Sequence, residues 1–296
     1  AAGIDVVSLP FGGLFDLSIS KRFRAEIGEF RPHAVLTWMN RATKACPRRR
    51  PGDSFVHVGT PRGYYNIKYY RRCDYLLCTT EDVGAYFTRQ GWPADRIGRI
   101  QNFAPDIRMA PQSRASLDTP EKVPLLLALG RLHVNKGFDV LLQAMTRLPD
   151  HWLWLGGTGP LEKDLKEQAR NFGVAPRVRF LGWREDTPAL FAAADIFVCS
   201  SHHEPFGNVV IEAWAQGVPV VAAASQGPGV LIQPEVSGLL VAVDNPWALA
   251  DSIRKISSDA ELAQRLAAGG RAAYEADHTE AIVIARYLEF FAKVTG

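Results

Sequence analysis

The fold is decided by residues 196–222, which read IFVCSSHHEPFGNVVIEAWAQGVPVVA. A strand-length apolar run, Ile196–Cys199, is followed by a polar loop, a helix-length segment at Val209–Gln216 and a second apolar run at Val218–Ala222. Two strands joined by a helical crossover run parallel to each other, because the crossover returns the chain to the edge where it started. This stretch therefore predicts a βαβ unit in a parallel sheet covered by helices.

The same alternation of apolar strands and amphipathic helices runs through the rest of the second half. Leu125–Leu129 is an unbroken aliphatic run, which is typical of a central strand buried on both faces of a parallel sheet. The pattern predicts further strands at Trp152–Leu155, Val178–Leu181 and Leu239–Val241. It predicts helices at Phe138–Arg147, Leu161–Phe172, Thr187–Ala194, Pro246–Ile256, Ala260–Tyr274 and Thr279–Val294.

The first half repeats the pattern and then interrupts it. Strands are predicted at Ile4–Leu9, Ala34–Trp38, Phe55–Val58 and Tyr75–Cys78, with helices at Leu14–Arg31 and Glu81–Gln90. Residues 102–124 break the alternation with four prolines among polar residues, which indicates a hinge. We therefore predict an α/β fold with two doubly wound Rossmann-like domains facing across a cleft, where a ligand would bind. The predicted boundaries are 1–104 for the acceptor-side domain, 105–123 for a linker, 124–277 for the second domain and 278–296 for a closing helix.

The composition is that of a globular protein. The chain has 296 residues, of which 47% are hydrophobic and 22% charged, enough for one large domain or two ordinary ones. The four cysteines form no CxxC pair, and Cys73 and Cys199 lie in or beside apolar runs, so buried thiols in a reducing compartment are predicted. We recognise neither a signal peptide nor a run of the ~20 apolar residues that a membrane helix needs. The predicted location is the cytoplasm, with peripheral contact at the inner face of the membrane left open.

The charge is distributed unevenly along the chain. Residues 1–120 hold 18 Lys and Arg against 11 Asp and Glu, whereas the remainder holds 16 against 20. The basic half indicates either an anionic partner, such as a membrane surface or a phosphorylated substrate, or charge that only keeps the protein soluble. The run Arg48-Arg49-Arg50 is too short to indicate nucleic-acid binding. Four tyrosines either pack into the core, which we favour, or lie at a membrane surface: Tyr64, Tyr65, Tyr69 and Tyr70.

Two cations follow the predicted central strand. Gly130-Arg131 comes directly after Leu125–Leu129, and Lys136 follows just before the next helix. The carboxyl end of a parallel strand points at the crevice where ligands bind, and a helix N-terminus favours anions. Arg131 and Lys136 are therefore candidates for neutralising a diphosphate and the negative charge on a leaving group. The alternative is a pair of solvated cations in a polar loop.

Two glutamates, Glu204 and Glu212, flank the start of the helix after Ile196–Cys199. Gly207 and Asn208 would open this helix, so their backbone N–H groups can approach phosphate oxygens closely. Either carboxylate can accept hydrogen bonds from sugar or ribose hydroxyls. The alternative, ordinary exposed carboxylates, fits poorly because Glu212 lies between Ile211 and Ala213 in a helix otherwise poor in charge.

Together these motifs resemble a known family. The pair of glutamates separated by seven residues, within EPFGNVVIEAWAQGVPVVA, is similar to the signature of the retaining family-four glycosyltransferases. The order of the other motifs also resembles that family over about residues 123–294: Gly130-Arg131 with Lys136, Gly156–Pro160, Arg179–Trp183 and Gly238–Val241. In the first half, residues 38–41 (WMNR) and 64–70 (YYNIKYY) are similar to enzymes of lipopolysaccharide core assembly.

The resemblance implies a fold, a reaction and a set of site residues. The fold would be GT-B, and a sugar would pass from a UDP- or GDP-type donor to a glycolipid or glycan acceptor with retention of configuration and without a metal ion. Arg131 and Lys136 would bind the diphosphate, and Glu204 would hold the sugar. Glu212 would bind the ribose. Gly182 and Trp183 would lie against the nucleobase, and Phe206, Gly207 and Asn208 would offer backbone amides to the sugar and phosphate. Gly130 and Val209 would complete the donor-binding set.

Two features of the first half remain open. The family has a functional histidine on a strand end of this domain, and His57 is the nearest candidate, although a structural histidine fits equally. The family's first strand also ends in a Gly-rich loop, for which Gly12-Gly13 is a weak substitute. We therefore expect a strand, a Gly-containing loop and a helix before Ala1. The adjacent pair His202-His203 is not interpreted as a metal site, because neighbouring side chains on an extended chain point in opposite directions.

Two other functions are compatible with the predicted fold. An NAD-dependent oxidoreductase requires GxGxxG after a strand, and the best match, Gly157-Thr-Gly159-Pro-Leu-Glu162, lacks the third glycine. A non-catalytic protein that binds a nucleotide sugar would not need the complete set of Arg131, Lys136, Glu204 and Glu212.

Overall fold

The computed structural model describes residues 3–9 and 18–296, which form two compact units. Unit 1 comprises Ala1–Gln101 with Ile284–Gly296, and unit 2 comprises Asn102–Val283. Each unit is built on its own parallel β-sheet with helices packed against it. The predicted α/β class with two doubly wound halves is confirmed.

Unit 1 holds a four-stranded sheet in the order β1-β2-β3-β4, with every neighbouring pair parallel. Its elements up to residue 101 are α1 (Ser18–Phe30), β1 (Ala34–Trp38), α2 (Met39–Ala45), β2 (Val56–Thr60), β3 (Tyr75–Cys78), α3 (Glu81–Arg89) and β4 (Ile97–Arg99). The sequence pattern did not predict α2 and β4, because seven and three residues are too short to show a clear periodicity.

The predicted strand Ile4–Leu9 is wrong. These residues have no regular secondary structure and are largely exposed, with Val6 87% accessible to solvent. A strand is held by backbone hydrogen bonds to a neighbour, and in the described part of the chain no strand pairs with this segment. The residues Pro10–Gly13 and the first part of the predicted helix Leu14–Arg31 lie outside the described residues.

Unit 2 holds a six-stranded sheet in the order β10-β9-β8-β5-β6-β7, with every neighbouring pair parallel. Its strands are β5 (Leu125–Leu129), β6 (Trp152–Gly156), β7 (Val178–Gly182), β8 (Ile196–Cys199), β9 (Val220–Ala223) and β10 (Leu239–Val241). Its helices are α4 (Phe138–Ala144), α5 (Glu162–Asn171), α6 (Thr187–Ala193), α7 (Asn208–Gln216), α8 (Pro228–Leu231), α9 (Pro246–Ser257) and α10 (Ala260–Asp277). The strand order reverses between β5 and β8, which makes the carboxyl ends of these strands the topological switch point of the sheet.

The core of unit 2 lies on both faces of this sheet. All five residues of β5 are buried, as predicted for a central strand. Leu126 and Ala128 pack with Val198 on one face, whereas Leu125 and Leu127 pack with Phe197 on the other. The continuous apolar runs of the sequence therefore reflect strands that are covered on both sides by helices.

The predicted linker 105–123 belongs to unit 2 and is bound to it. Arg114 donates hydrogen bonds to the Ala193 carbonyl at 2.7 Å and to Asp195 at 3.0 Å. The indole Nε1 of Trp154 donates to Thr119 Oγ1 at 2.8 Å. These contacts use side chains and backbone rather than a periodic apolar face, so the sequence pattern did not reveal them.

The last helix, α11 (Glu280–Thr295), belongs to unit 1 from Ile284 onwards. Arg286 donates to Gln101 Oε1 at 2.7 Å, and the rings of Phe290 and Tyr75 meet edge to face at 6.2 Å. The predicted closing helix therefore completes the first unit rather than forming a separate element.

Two smaller predictions concern buried side chains. All four cysteines are buried and carry free thiols. Tyr70 is fully buried, and Tyr64, Tyr65 and Tyr69 pack against the same cluster, which confirms core packing for the tyrosine-rich segment.

Among the helices of residues 3–9 and 18–296, none combines the length and the apolar character that a membrane-spanning helix requires.

Candidate functional site

A cavity of about 1030 Å³ opens at the carboxyl ends of the unit 2 strands. Parallel α/β sheets bind ligands at this edge, so the cavity lies where the sequence predicted a site. Its lining includes Gly130, Arg131, the residues 156–160, Trp183, Arg184, Glu185, Thr187, Val209 and Glu212.

The floor of the cavity is formed by the loops after β5 and β6, which touch through their backbones. Leu132 N donates to Thr158 O at 2.9 Å, and a Cβ on Gly157 would lie 1.9 Å from Gly130 O. Gly157 also has φ +132°, a conformation that L side chains rarely adopt. Because the glycines carry no side chains, a ligand can lie directly against the backbone of these loops. The repeated glycines of residues 156–160 were a usable sequence signal for this floor, but the predicted site did not include them.

The loops after β5 and β8 are joined at Lys136 and Glu204. The Lys136 Nζ forms an ion pair with Glu204 Oε2, although the two residues are 68 positions apart. Ser200 Oγ donates to the Lys136 carbonyl at 3.0 Å, and a Cβ on Gly137 would lie 2.2 Å from the Ser200 carbonyl oxygen. The structure thus brings together two motifs that the sequence could relate only by resemblance.

Glu204 is held by the loop after β9. Its backbone carbonyl accepts a hydrogen bond from Gly227 N at 2.7 Å, and its backbone N–H donates to Gln226 Oε1 at 3.3 Å. Phe206, two residues on, is buried, and its ring meets the ring of His278 edge to face at 5.9 Å. These contacts fix the backbone, so the Glu204 carboxylate keeps its place beside Lys136.

The N-terminus of α7 is anchored by a residue that the sequence did not reveal. Gly207 precedes the helix, and the Oδ1 of Asn208 accepts a hydrogen bond from Asn102 Nδ2 at 2.6 Å. The His278 Nδ1 lies 3.0 Å from the Asn102 carbonyl oxygen, to which it donates. Asn102 and His278 are separated by 176 positions, and no local pattern marks either as part of the site.

Glu212 lies in α7 and lines the cavity, half-buried. Burial raises the pKa of its carboxyl group, and the positive charge of Lys136 lowers it again in part. Within the described chain the Glu212 carboxylate makes no hydrogen bond or ion pair. The same holds for the exposed guanidinium of Arg131. Glu212 and Arg131 therefore both offer hydrogen-bonding capacity to a ligand in the cavity.

The indole of Trp183 lies at the rim of the cavity and is 74% exposed. It follows Gly182, whose carbonyl accepts a hydrogen bond from Gly157 N at 2.7 Å. The next residue, Arg184, pairs with Asp186 at 2.5 Å. An exposed aromatic face beside the cavity can stack on a planar ring, which is compatible with the predicted place of a nucleobase.

His57, the candidate catalytic histidine, is enclosed within unit 1. The side chain is 1% exposed in unit 1, with Nε2 at 3.0 Å from Thr37 Oγ1 and a further hydrogen bond to the backbone of Arg72. Burial lowers the pKa of this imidazole, which favours the neutral ring. This enclosure favours a structural histidine, the alternative that fitted the sequence pattern equally well.

The described residues at this edge include no cluster of metal-binding side chains. In the described residues, no three or more His, Cys, Asp or Glu side chains are arranged to hold a metal ion. His202 instead lies with its Nε2 at 2.9 Å from Asp244 Oδ1.

Comparison with known proteins decides the family. Residues 109–273, more than half of the chain, match the family model described as Glycosyl transferases group 1. The chain belongs to this family. The predicted resemblance is therefore confirmed, and the oxidoreductase hypothesis is wrong.

Relatives of this glycosyltransferase cover most of its length. It is 35% identical over 262 residues to the lipopolysaccharide core biosynthesis glycosyltransferase LpsE of Rhizobium meliloti, covering 88% of this chain and 76% of LpsE. It is 32% identical over 277 residues to LpsD of the same organism, covering 91% and 78% of the two chains.

Solved structures of low identity share the fold. Anabaena HepE in complex with UDP and glucose superposes with a TM-score of 0.82 at 21% identity, covering 97% of this chain and 84% of HepE. A glycosyltransferase from Rickettsia africae superposes with a TM-score of 0.81 at 20% identity, covering 98% and 84% of the two chains. These neighbours are GT-B glycosyltransferases, which confirms the predicted fold.

Proposed function

We propose that this glycosyltransferase moves a sugar from a nucleoside diphosphate donor to a hydroxyl of a glycolipid in lipopolysaccharide core synthesis. The observation that carries this proposal is the pairing of Lys136 with Glu204, together with the half-buried Glu212 and with Arg131, which forms no ion pair with any described residue. This set offers cations for a diphosphate and carboxylates for hydroxyl groups within one part of unit 2. The names of LpsE and LpsD and the UDP and glucose bound to HepE support the acceptor and donor classes.

The chemistry follows from the charges at the site. The bond between the anomeric carbon and the phosphate oxygen breaks, and its electron pair passes to the diphosphate. Arg131, Lys136 and the N-terminus of α7 oppose this developing negative charge with fixed positive charge. The acceptor oxygen bonds to the anomeric carbon from the face that the diphosphate leaves, which retains the configuration, and its proton passes to the departing phosphate oxygen.

The carboxylates bind the neutral parts of the donor. In this proposal Glu204 accepts hydrogen bonds from hydroxyls of the transferred sugar, and Lys136 orients it through their ion pair. Glu212 accepts hydrogen bonds from the ribose hydroxyls, while Trp183 stacks on the nucleobase. Backbone N–H groups at Gly207 and Asn208 approach the sugar and phosphates at the start of α7.

The proposal is tested first by ligand binding and then by transfer. UDP or GDP should raise the melting temperature of the protein, whereas NAD should not, because binding to the folded state alone stabilises it. Incubation with the nucleotide sugar and a truncated lipopolysaccharide core should yield product with retained configuration by NMR. Nucleotide binding without transfer or donor hydrolysis would instead indicate a non-catalytic binding protein.

Donor affinity is expected to depend on pH through Glu212. An ionised carboxylate accepts hydroxyl hydrogen bonds on both oxygens and more strongly than a protonated carboxyl group, in which one oxygen carries a proton. Burial raises the pKa of Glu212. Donor affinity should therefore fall as the pH decreases through this raised pKa. Glu212→Gln should bind the donor more weakly above that pH and should show a flatter dependence in calorimetric titrations. A wild-type profile retained by Glu212→Gln would remove Glu212 from the donor site.

Transfer is expected to continue in the presence of a chelator, because Arg131 and Lys136 supply the positive charge that a divalent ion would otherwise provide. The measurement is the initial rate with and without EDTA, after the protein has been dialysed against the chelator. Loss of activity that Mg²⁺ or Mn²⁺ restores would show that a metal ion neutralises the diphosphate instead.

A further inference from the structure

Six exposed arginines of the first half lie at one edge of the unit 1 sheet. Exposed arginines occupy the loops that precede β1, β2 and β3. Since the strands are parallel, these loops emerge together at the amino edge of the sheet. We call this surface the basic edge, and it consists of Arg31, Arg48, Arg49, Arg50, Arg71 and Arg72.

Hydrogen bonds join these loops into one continuous surface. Arg24 of α1 pairs with Asp53 at 2.5 Å and also donates to the Arg48 carbonyl, both in the loop before β2. Arg49 of the same loop pairs with Asp74 at 3.0 Å, next to the loop before β3. The loops are therefore held against each other, and the arginines they carry are neighbours in space.

The acidic residues nearby do not neutralise this surface. Asp53 and Asp74 are each occupied by an ion pair, the exposed Glu29 beside Phe30 offsets one cation, and Asp95 with Arg96 before β4 adds no net charge. Within residues 3–9 and 18–296, five arginines of the basic edge form no ion pair: Arg31, Arg48, Arg50, Arg71 and Arg72. An anionic partner can therefore contact several cations at once without displacing an internal ion pair.

An exposed aromatic ring borders the same surface. Phe30 ends α1, directly before Arg31, and is 78% exposed. An apolar ring among cations fits the boundary of an anionic bilayer, where the ring enters the acyl region while arginines contact phosphates. A soluble phosphorylated compound would not cover this ring together with arginines on three loops.

The position of the basic edge also separates it from the ligand edge of the same sheet. Ligands of parallel α/β sheets bind at the carboxyl ends of the strands, whereas these arginines lie at the amino ends. We propose that the basic edge is a docking surface for an anionic phospholipid bilayer. Docking would retain the enzyme at the membrane, where a glycolipid acceptor resides. This role rests on the proposed function, whereas the docking itself does not.

The proposal is tested by sedimentation of the protein with vesicles. Native protein should bind vesicles that contain phosphatidylglycerol and should dissociate from them as the salt concentration rises. It should not bind vesicles of phosphatidylcholine alone. Arg48→Gln/Arg50→Gln/Arg71→Gln should partition roughly a hundredfold more weakly, since each arginine near such a surface contributes about fivefold. Phe30→Ser should also weaken binding, with an effect that persists at high salt because it removes apolar contact.

A matched control removes the same charge elsewhere. Lys163→Gln/Arg170→Gln/Arg265→Gln changes exposed cations on α5 and α10 of unit 2 and should leave vesicle binding unchanged. Equal losses in the two triple variants, or no binding of native protein to anionic vesicles, would overturn the proposal and leave the arginines as solubilising charge. Transfer to a truncated, detergent-free acceptor should be intact in both variants. A failure of transfer in native protein would instead concern the proposed function.

Discussion

Lys136→Ala is expected to lower kcat/KM for sugar transfer by two to three orders of magnitude. The ammonium pairs with Glu204 and its charge acts on Glu212, so in the proposed function the variant loses a positive charge opposite the departing diphosphate. Removing one donor of this kind costs about 3–4 kcal/mol of transition-state stabilisation. Arg131→Ala should have a similar effect, because its guanidinium lines the same cavity.

The control for Lys136→Ala is Lys163→Ala, which removes an exposed lysine of α5 away from the cavity. It should retain nearly native kinetics. Lys136→Ala also leaves the half-buried Glu204 without its partner, so thermal unfolding of each variant must be measured beside activity. A folded Lys136→Ala protein with kcat/KM within a few-fold of native would show that the diphosphate is neutralised elsewhere.

Glu204→Gln is expected to reduce turnover by tenfold to a hundredfold with little change in donor affinity. Hydrogen bonds to a charged group contribute about 1.5–3 kcal/mol, and those to the transferred sugar should strengthen as the anomeric bond breaks. Glu212→Gln should have the opposite pattern: it should weaken donor binding and have a smaller effect on kcat. The two substitutions are isosteric, so a difference between them reports the role of each carboxylate.

The comparison requires kcat, KM and the dissociation constant of the donor for both variants. Glu167→Gln, on the exposed face of α5, is the control and should behave as native protein. Near-native kinetics in both Glu204→Gln and Glu212→Gln would contradict both assignments. Loss of binding in Glu204→Gln with unchanged kcat would exchange the two roles.

Much of unit 2 followed from local pattern in the sequence. Leu125–Leu129 has no polar residue, so it is buried fully only as a strand that is covered on both faces of the sheet. The strand β5 is buried in this way. The loops that carry Arg131 and Glu204 each follow a strand of a parallel sheet, so chain order alone placed them at one edge. Periodicity is a property of neighbouring residues, and for this reason it could be read without a structure.

The pairing of distant residues was decided only by tertiary structure. The ion pair of Lys136 with Glu204, the contact of Gly157 with Gly130 and the hydrogen bond from Asn102 to Asn208 each join separate loops. Their partners are set by how the loops pack, and no spacing in the sequence encodes that packing. The sequence could name a cation and a carboxylate, but it could not show that they meet.

The same reason explains the error at Ile4–Leu9 and the two alternatives that the sequence left at His57. The sequence of Ile4–Leu9 has a strand pattern, but a strand also needs a neighbour, and pairing is not a local property. His57 follows a site-like pattern at a strand, yet the packing of Thr37 and Arg72 encloses its ring. The sequence by itself determined which elements form and which side chains stand at strand ends. Burial, including that of the His57 ring, was decided by tertiary structure, because it depends on residues that are remote along the chain.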